Sequence, residues 1–199
     1  MVLFDTSRVT NSSPALYMDL NAEILARYGA HPVAKDANNH VPEPTFDYPS
    51  DVLMMWQRYG KGCTLDQQVA HGGQSSLRLR ISPEQLKEQS GISVGASTTI
   101  NKFDQPQRLR MAAWCRTENV SGEKDRDFLI YALLNYADGT RETLRLPLPG
   151  GTHDWQLVEG FFHPVKELNP DQSPMLYITM SSKTGIAWLD DIFLGPAQN

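Results

Sequence analysis

The sequence contains few cysteines and no long apolar run. Cys63 and Cys115 are its two cysteines, so one disulfide at most is available. Neither has the neighbours of a metal site or of a redox pair. Both stand in strand-like stretches, which favours two buried thiols and leaves a disulfide as the alternative. No apolar run is long enough to cross a bilayer, so we expect no membrane partner.

The chain also lacks an excess of positive charge. Lys and Arg total 18 and Asp and Glu total 23 among 199 residues, which gives a formal net charge of -5. General binding to nucleic acid needs a positive surface, so no nucleic-acid partner is expected, although local basic patches remain open. Residues 1–8 lack the basic start and apolar run of a signal peptide, but a piece of a longer secreted protein would look the same.

Recognisable catalytic motifs are missing as well. The sequence has no G-x-S-x-G, no H-E-x-x-H and no phosphate-binding glycine loop. Its five histidines fall in loops or at strand edges without the spacing of metal ligands: His31, His40, His71, His153 and His163. We therefore expect a non-catalytic domain. A glycosidase or lyase stays open as an alternative, because a fold can bring two distant carboxylates together.

The first forty residues differ from the rest. Ser13 and Pro14 match an N-cap and a first helical position, and apolar residues then recur at helical spacing, which predicts an amphipathic helix over 14–28. Residues 33–49 are rich in Pro, Asn and Asp and are typical of a linker or loop. We predict an N-terminal extension over 1–43 and one larger domain over 44–199.

Short strands follow one another through this larger domain. The stretch 75–81 alternates strictly, with Leu77 and Leu79 facing inward and Arg78 and Arg80 facing outward. Further strands are predicted over 108–116, 128–136, 143–148, 155–162, 175–181 and 185–194.

One short helix is predicted between these strands, over Pro83–Gln89 with Ser82 as its N-cap. Many short strands separated by turn signals, without long helices between them, indicate an all-β fold, an antiparallel β-sandwich. One face of each sheet in such a fold points to solvent, where a ligand can lie.

The final predicted strand carries two adjacent carboxylates. Period-2 alternation places Asp190 on the same face as Trp188, Ile192 and Leu194, while Asp191 points the other way. A carboxylate among apolar side chains is costly unless it is paired or bound to a cation. Asp190 is therefore predicted to have a partner.

Several motifs stand in a fixed order between residues 44 and 194. They are Pro44-Thr45-Phe46-Asp47, Trp56, Ala70–Leu79, Leu109–Val120, Tyr136–Thr140, Gly151–Trp155 and Trp188–Ile192. Their order and spacing resemble those of the jelly-roll carbohydrate-binding modules around families 4, 9 and 22, within the galactose-binding-like superfamily. The resemblance implies a jelly-roll sandwich and non-catalytic binding of a polysaccharide or oligosaccharide. The first forty residues are not covered by it.

The resemblance also implies one structural calcium ion. Carried over by position, Asp47 and Asp190 would bind Ca2+ through their carboxylates, together with backbone oxygens near Gly72 and Gln74. Calcium favours several oxygen ligands and would neutralise a buried Asp190. The alternative is that Asp190 accepts backbone N–H bonds without an ion.

Sugar recognition needs flat aromatic faces and planar hydrogen-bonding side chains. The outward-facing candidates are Trp114, Tyr131, Asn135 and Tyr177, with Arg78, Arg80 and Arg110 beside them if their strands share a sheet. Each candidate has an alternative role. Trp114 can pack in the core, and the arginines can form solvated strand faces.

These observations predict a carbohydrate-binding module, secreted or at a cell surface, that directs an attached polysaccharide-active enzyme to its substrate. Its partners would be the saccharide and a neighbouring catalytic domain in the same chain. The alternative is a structural domain that packs against a neighbouring domain without binding sugar. The amphipathic helix predicted over 14–28 would suit such a contact.

Overall fold

The computed structural model describes residues 38–47, 53, 55–103, 107–122 and 126–197, and within them it contains ten strands and one short helix. Most of the strands consist of alternating apolar and polar residues. In chain order they are β1 (Gln57–Tyr59), β2 (Cys63–Asp66), β3 (Ser76–Ile81), α1 (Pro83–Glu88), β4 (Ser93–Thr99), β5 (Leu109–Val120), β6 (Phe128–Asn135), β7 (Arg141–Pro147), β8 (Gly151–Phe162), β9 (Met175–Ser181) and β10 (Gly185–Pro196).

All of the described residues lie in one unit of the chain, His31–Asn199. The helix predicted over 14–28 lies outside the described residues. Within the described residues, no helix is long and apolar enough to span a membrane.

The ten strands form two five-stranded sheets in which neighbouring strands are antiparallel. The first sheet has the strand order β1-β4-β9-β6-β7, and the second has the order β2-β3-β10-β5-β8. The sheets bury their apolar faces against each other, which confirms the predicted all-β antiparallel jelly-roll sandwich.

Apolar side chains at every second strand position fill the space between the two sheets. In β9, Leu176, Ile178 and Met180 are fully buried, while Tyr177 between them is half-buried on the outer face. The buried residues of β3, β5, β6 and β10 complete a single core cluster. Each fully buried aliphatic side chain of this kind contributes about 1.5–3 kcal/mol to stability.

Most of the predicted elements are confirmed within a few residues. The seven predicted strands correspond to β3 and to β5 through β10. The helix α1 begins with a capping box in which Ser82 Oγ accepts the Gln85 N–H at 3.2 Å and the Gln85 side chain accepts the Ser82 N–H at 2.8 Å.

Three strands were not predicted. β1 and β2 have three and four residues, which is too short for a reliable alternating pattern. β4 consists of small residues, and its alternation of buried Val94 and Ala96 with serine and glycine carries little hydrophobic contrast. Its position in the sheet between β1 and β9 determines its conformation.

Cys63 and Cys115 are both buried and form no disulfide with each other, which confirms the prediction of two buried thiols. Burial raises the pKa of the Cys115 thiol to about 12. This thiol is therefore protonated at physiological pH and behaves as a small core residue.

Residues 38–43, which the sequence analysis grouped with the extension, lie against β10. The His40 N–H donates to the Leu194 carbonyl at 2.8 Å. The Asn39 side chain donates to the Ile192 carbonyl at 2.9 Å and accepts the Leu194 N–H at 3.1 Å. Val41 is buried in the core cluster. Residues 39–41 therefore pack against the sandwich.

A β-bulge interrupts β10 between Asp190 and Phe193, where the register against β5 shifts. Asp191 within the bulge has a φ of 49°, in the left-handed region that non-glycine residues seldom adopt. The extra residue reverses the alternation of every residue that follows it.

The bulge makes the predicted grouping of Asp190 with Ile192 and Leu194 wrong. Leu194 pairs with core residue Met111 of β5, whereas Asp190 pairs with Trp114, which lies on the outer side of the second sheet. Ile192 and Leu194 therefore face the core, and Asp190 faces outward. A sequence pattern read with a constant period of two cannot show such a shift.

The hydrogen bonds between the Asn39 side chain and β10 can be tested by substitution. Asn39→Ala removes hydrogen bonds to the backbone of β10, so we expect the free energy of unfolding to fall by about 1–3 kcal/mol in denaturant titrations. Asn101→Ala, at an exposed position, is the matched control and should change stability by less than about 0.5 kcal/mol. Equal stabilities for the two variants would contradict the role assigned to Asn39.

Candidate functional site

The outer face of the first sheet carries a groove of about 520 Å3. The residues that line it are Tyr59, Ser93, Arg126, Leu129, Tyr131, Thr143, Arg145, Tyr177, Thr179 and Ser181. Most of them alternate along their strands with residues of the core. Alternate side chains of the same strands therefore fill the core on one face of the sheet and line the groove on the other.

Two tyrosines from neighbouring strands form the centre of this groove. Tyr131 of β6 and Tyr177 of β9 are partners in register, and their rings are stacked with centroids 4.7 Å apart and an interplanar angle of 6°. Because the two rings stack across neighbouring strands, the outer face of the Tyr131 ring is turned toward β7 and the outer face of the Tyr177 ring toward β4. These are flat aromatic surfaces on which an apolar sugar face can stack.

Burial raises the pKa of the Tyr131 phenol, and the nearby Tyr177 raises it further, while Arg145 acts in the opposite direction. The phenol is therefore protonated at neutral pH. It can donate one hydrogen bond and accept others, as a sugar hydroxyl requires.

Tyr59 of β1 packs above Gly95 of β4 at one side of the groove. Its hydroxyl donates to the Ile178 carbonyl at 3.0 Å. A Cβ atom at Gly95 would collide with both the Tyr59 ring and that carbonyl, so the position requires glycine. Burial raises the pKa of Tyr59 to about 12, which keeps this phenol protonated as well.

Three hydroxyl groups meet on the groove floor. Ser93 Oγ, Thr179 Oγ1 and Ser181 Oγ lie between 2.8 and 3.3 Å from one another. Each hydroxyl can both donate and accept, and its hydrogen can rotate. The cluster can therefore adapt its donors and acceptors to the hydroxyl groups of a ligand.

The groove is positively charged. Arg126 and Arg145 are exposed, and Arg145 is the partner of Tyr131 in register across β7 and β6. Among the described residues that line the groove, none is an aspartate or a glutamate.

The structure brings two of the predicted ligand-binding residues together and separates the others from them. Tyr131 and Tyr177 form the stacked pair in the groove. Asn135 lies further along β6, outside the set of groove-lining residues, and its backbone carbonyl accepts the Asn169 N–H at 2.8 Å.

Trp114, Arg78, Arg80 and Arg110 belong to β3 and β5 and therefore lie in the second sheet. The arginines were predicted to stand beside Tyr131 if their strands shared a sheet. They do not, because Tyr131 lies in the first sheet and the arginines lie in the second. Sequence alternation gives the face of each strand but not the sheet to which the strand belongs.

The outer face of the second sheet is largely occupied by its own side chains. Arg110 lies 2.8 Å from Glu159, and Arg78 lies 3.9 Å from Asp66. Arg80 lines a smaller cavity of about 170 Å3 beside α1. Arg110 and Arg78 therefore each lie near a carboxylate of their own sheet.

Trp114 is covered by a histidine. The His71 ring stacks on Trp114 with centroids 3.8 Å apart and meets Trp155 edge-on at 5.6 Å. His71 Nδ1 lies 2.7 Å from the Asp191 carboxylate. The Trp114 face that stacks on His71 is closed to a ligand in this arrangement.

Asp190 has the partners that its burial requires. Its carboxylate accepts the N–H groups of His71 at 3.0 Å, Gly72 at 3.2 Å and Asp191 at 2.8 Å. Burial raises the pKa of Asp190 to about 8, and the neighbouring Asp191 adds to this, whereas the three N–H donors act in the opposite direction. The predicted need for a partner is confirmed.

Asp47 is held by the same turn. It accepts the N–H groups of Gln74 at 2.6 Å and Ser75 at 3.3 Å. Gly72 and Gln74, which were predicted to offer backbone oxygens to calcium, donate N–H groups to Asp190 and Asp47. The two carboxylates suit a calcium ion by charge and atom type. The described residues contain no group of three acid, histidine or cysteine side chains that could hold a metal, so further ligands would have to be other oxygens, such as backbone carbonyls or water. Calcium stays a prediction.

Most of the residues that line the groove could not be predicted from the sequence. Tyr59 lies on a strand of three residues, and Ser93 and Thr179 are small polar residues that carry no signal by themselves. A signal was present in β9, where Tyr177, Thr179 and Ser181 alternate with the core residues of that strand. Outward residues in that pattern mark the solvent face of an antiparallel sheet.

Comparison with curated proteins finds distant relatives. No family model matches the chain. Over 134 residues it is 25% identical to the tRNA nuclease WapA of Bacillus subtilis (strain 168) and 26% identical to the tRNA3(Ser)-specific nuclease WapA of Bacillus spizizenii. The matched region is 67% of this chain and 6% of each relative, so the chain spans a small part of these proteins.

Solved structures share the fold at low sequence identity. A xylan-binding domain of carbohydrate-binding module family 22 is 15% identical, with a TM-score of 0.56 over 82% of this chain and 98% of that chain. A family 61 carbohydrate-binding module in complex with beta-1,4-galactotriose is 13% identical, with a TM-score of 0.50 over 81% of this chain and all 100% of the other. The chain has the jelly-roll fold of carbohydrate-binding modules, and the predicted resemblance is confirmed for the fold.

The raised pKa of Asp190 predicts a pH-dependent stability. An aspartate of the unfolded chain has a pKa near 3.8, whereas Asp190 in the folded chain has a pKa of about 8. Between these values folded Asp190 binds more protons than unfolded Asp190, so this group alone lowers the free energy of unfolding as pH rises from about 4 to about 8, by at most about 1.4 kcal/mol per pH unit. Denaturant unfolding in EDTA measures this slope. Asp190→Asn should flatten it, and the exposed Asp171→Asn should not; identical slopes for both variants would contradict the assignment.

The predicted calcium site can be tested by thermal unfolding. An ion that binds the native state alone raises Tm, so CaCl2 at about 1 mM, a concentration in the range of extracellular modules, should raise the Tm of the EDTA-treated chain. Asp47→Asn and Asp190→Asn should each abolish the increase. Magnesium at the same concentration serves as the control and should act more weakly. A wild-type Tm that is unchanged by calcium would rule out the site.

Proposed function

We propose that this chain is a non-catalytic saccharide-binding module whose ligand lies in the groove of the first sheet. The observation that carries the proposal is the stacked pair of Tyr131 and Tyr177 at the centre of a groove lined with hydroxyl groups. Stacking on an aromatic face and hydrogen bonding to hydroxyls are the two contacts by which proteins recognise sugars in water.

The fold comparison supports the same ligand class. The structurally similar family 22 domain is described as xylan-binding, and the family 61 module is described in complex with a galactotriose. We infer that the ligand is a polysaccharide or oligosaccharide, since a groove of about 520 Å3 on a sheet face accommodates part of a chain.

A module of this kind acts by bringing an attached domain to the saccharide. The match to 6% of two long curated relatives supports a place within a larger protein. We propose a secreted or cell-surface location and a neighbouring catalytic domain, because a saccharide polymer outside the cell is reached most directly by such an arrangement.

The groove favours binding over hydrolysis. A glycosidase of the usual kind needs two carboxyl groups at about 5–10 Å on either side of the scissile bond. The described lining residues of the groove contain no carboxylate, whereas they contain three tyrosines and four hydroxyl-bearing serines and threonines.

A second candidate function is a packing domain of a larger protein. The edge strand β8 exposes Leu157 by 44% and Phe161 by 49%, which is unusual for large apolar side chains. A neighbouring domain that covers this strand would bury both. This function needs no saccharide ligand.

Tyrosine substitutions test the proposed site. Tyr131→Ala and Tyr177→Ala each remove a stacking surface, so each should weaken binding to xylan or galactan oligosaccharides by about tenfold or more in isothermal titration, with the fold intact by circular dichroism. Phe161→Ala, an exposed aromatic residue on the opposite sheet, is the matched control and should keep the affinity.

Two other outcomes would decide against the groove. Loss of binding in Trp114→Ala, with Tyr131→Ala unaffected, would place the site on the second sheet. A folded wild-type chain that binds no saccharide in a broad glycan array would overturn the proposed function and favour the packing domain.

A further inference from the structure

The groove concentrates positive charge in a chain that is acidic as a whole. The formal net charge of the chain is -5, yet the groove contains Arg126 and Arg145, and the described residues that line it include no acid. A saccharide without charge needs aromatic faces and hydroxyl partners. Its hydroxyls can accept hydrogen bonds from a guanidinium, but only an anionic ligand also pairs with the positive charge.

The arginines of the opposite sheet show a different arrangement. Three of them face a carboxylate: Arg110 at 2.8 Å from Glu159, Arg78 at 3.9 Å from Asp66 and Arg116 at 4.0 Å from Asp154. Among the described residues, neither Arg126 nor Arg145 has a carboxylate within ion-pair distance. Arg145 Nη1 donates to the Thr143 carbonyl at 3.4 Å, a contact that leaves its charge without a counter-charge among the described residues.

Arg145 is placed next to the aromatic pair. It is the partner of Tyr131 in register, and Tyr131 in turn is the partner of Tyr177. Its side chain starts from the strand toward which the outer face of the Tyr131 ring is turned, and its charge acts to lower the pKa of Tyr131. Arg126 lines the same groove two residues before β6. A sugar stacked on Tyr131 would carry its substituents into reach of these groups.

We propose that the groove selects acidic saccharides, in which a sugar carboxylate pairs with Arg145 and Arg126 while the ring stacks on the tyrosine pair. This inference rests on the proposed saccharide-binding function and adds the class of sugar. The planar guanidinium matches a carboxylate with two parallel N–H···O bonds, which gives direction as well as charge.

Nucleic acid is the competing polyanion. Two arginines in a chain of net charge -5 provide few of the phosphate contacts on which nucleic-acid affinity depends. The distant relatives described as tRNA nucleases nevertheless make tRNA a necessary arm of the experiment.

The experiment compares matched ligands by isothermal titration with the full chain. Oligogalacturonate provides the carboxylate, and the same oligosaccharide with every carboxyl group methyl-esterified removes the charge and keeps the sugar ring. We expect the acid form to bind at least about tenfold more tightly, since hydrogen bonds to charged groups exceed neutral ones. The preference should shrink as NaCl rises, because exposed charges are screened.

Substitutions of the groove arginines test the residues. Arg145→Gln and Arg126→Gln should each reduce the ratio of acid-form affinity to ester affinity by about tenfold. Arg145→Lys retains the charge without the planar fork and should recover part of the preference. Arg108→Gln, on the opposite sheet where Arg108 lies over the Phe161 ring, is the matched control and should retain it fully.

The possible failures are distinguishable. Equal affinity for acid and ester, with both lost in Tyr131→Ala, would overturn the selection of acidic saccharides and keep the saccharide-binding function. Binding of neither form, nor of any other saccharide, would overturn both proposals. Binding of tRNA that requires Arg145 and blocks the oligosaccharide would overturn the acidic saccharide as the ligand and establish nucleic acid in its place.

Discussion

Backbone N–H groups of the turn at residues 71–75 hold two carboxylates, and the arrangement of the sandwich depends on them. Asp47 comes from the opening segment and Asp190 from the final strand, so one turn joins distant parts of the chain. A buried carboxylate without donors would be costly, and four N–H groups from the turn satisfy these two. Because β10 lies between β3 and β5, a shift at Asp190 would be transmitted to both neighbours. The bulge next to Asp190 lets β10 place its carboxylate under the turn and still return apolar residues to the core.

The two outer faces of the sandwich have different characters. The second sheet pairs its arginines with acids or lays them over aromatic rings, as Arg116 does over Trp188, so its polar and aromatic groups contact one another. The first sheet leaves the Tyr131–Tyr177 pair and two arginines facing a groove. A ligand approaching the second sheet must break contacts that already exist. A ligand entering the groove meets an aromatic pair and two arginines without an acid partner among the described residues, which supports the proposal that it binds there.

Much of the fold could be predicted from local pattern, and much of the site could not. Alternation identified β9 and the inward residues of β3, since each strand carries its own hydrophobic contrast. The same pattern could not show that β3 and β6 lie in opposite sheets, so the arginines were grouped with tyrosines that lie in the other sheet. The groove also depends on Tyr59, whose short strand gains its conformation from pairing with β4. Asp190 was singled out correctly because a buried charge needs a partner wherever it lies. The side of the sheet that Asp190 faces was predicted wrongly, because an alternating sequence pattern does not reveal the extra residue of a β-bulge.

The strand β8 ends the second sheet, and its twelve residues leave a long row of backbone groups at an open edge. Such an edge with exposed Leu157 and Phe161 would invite a strand from another molecule to extend the sheet. Glu159 stands between them on the same face and forms an ion pair with Arg110 at 2.8 Å. A second copy that paired antiparallel with this edge about Glu159 would bring the two Glu159 carboxylates together, and like charges disfavour such pairing. The residue that completes a modest surface ion pair would therefore also oppose extension of the sheet at this edge.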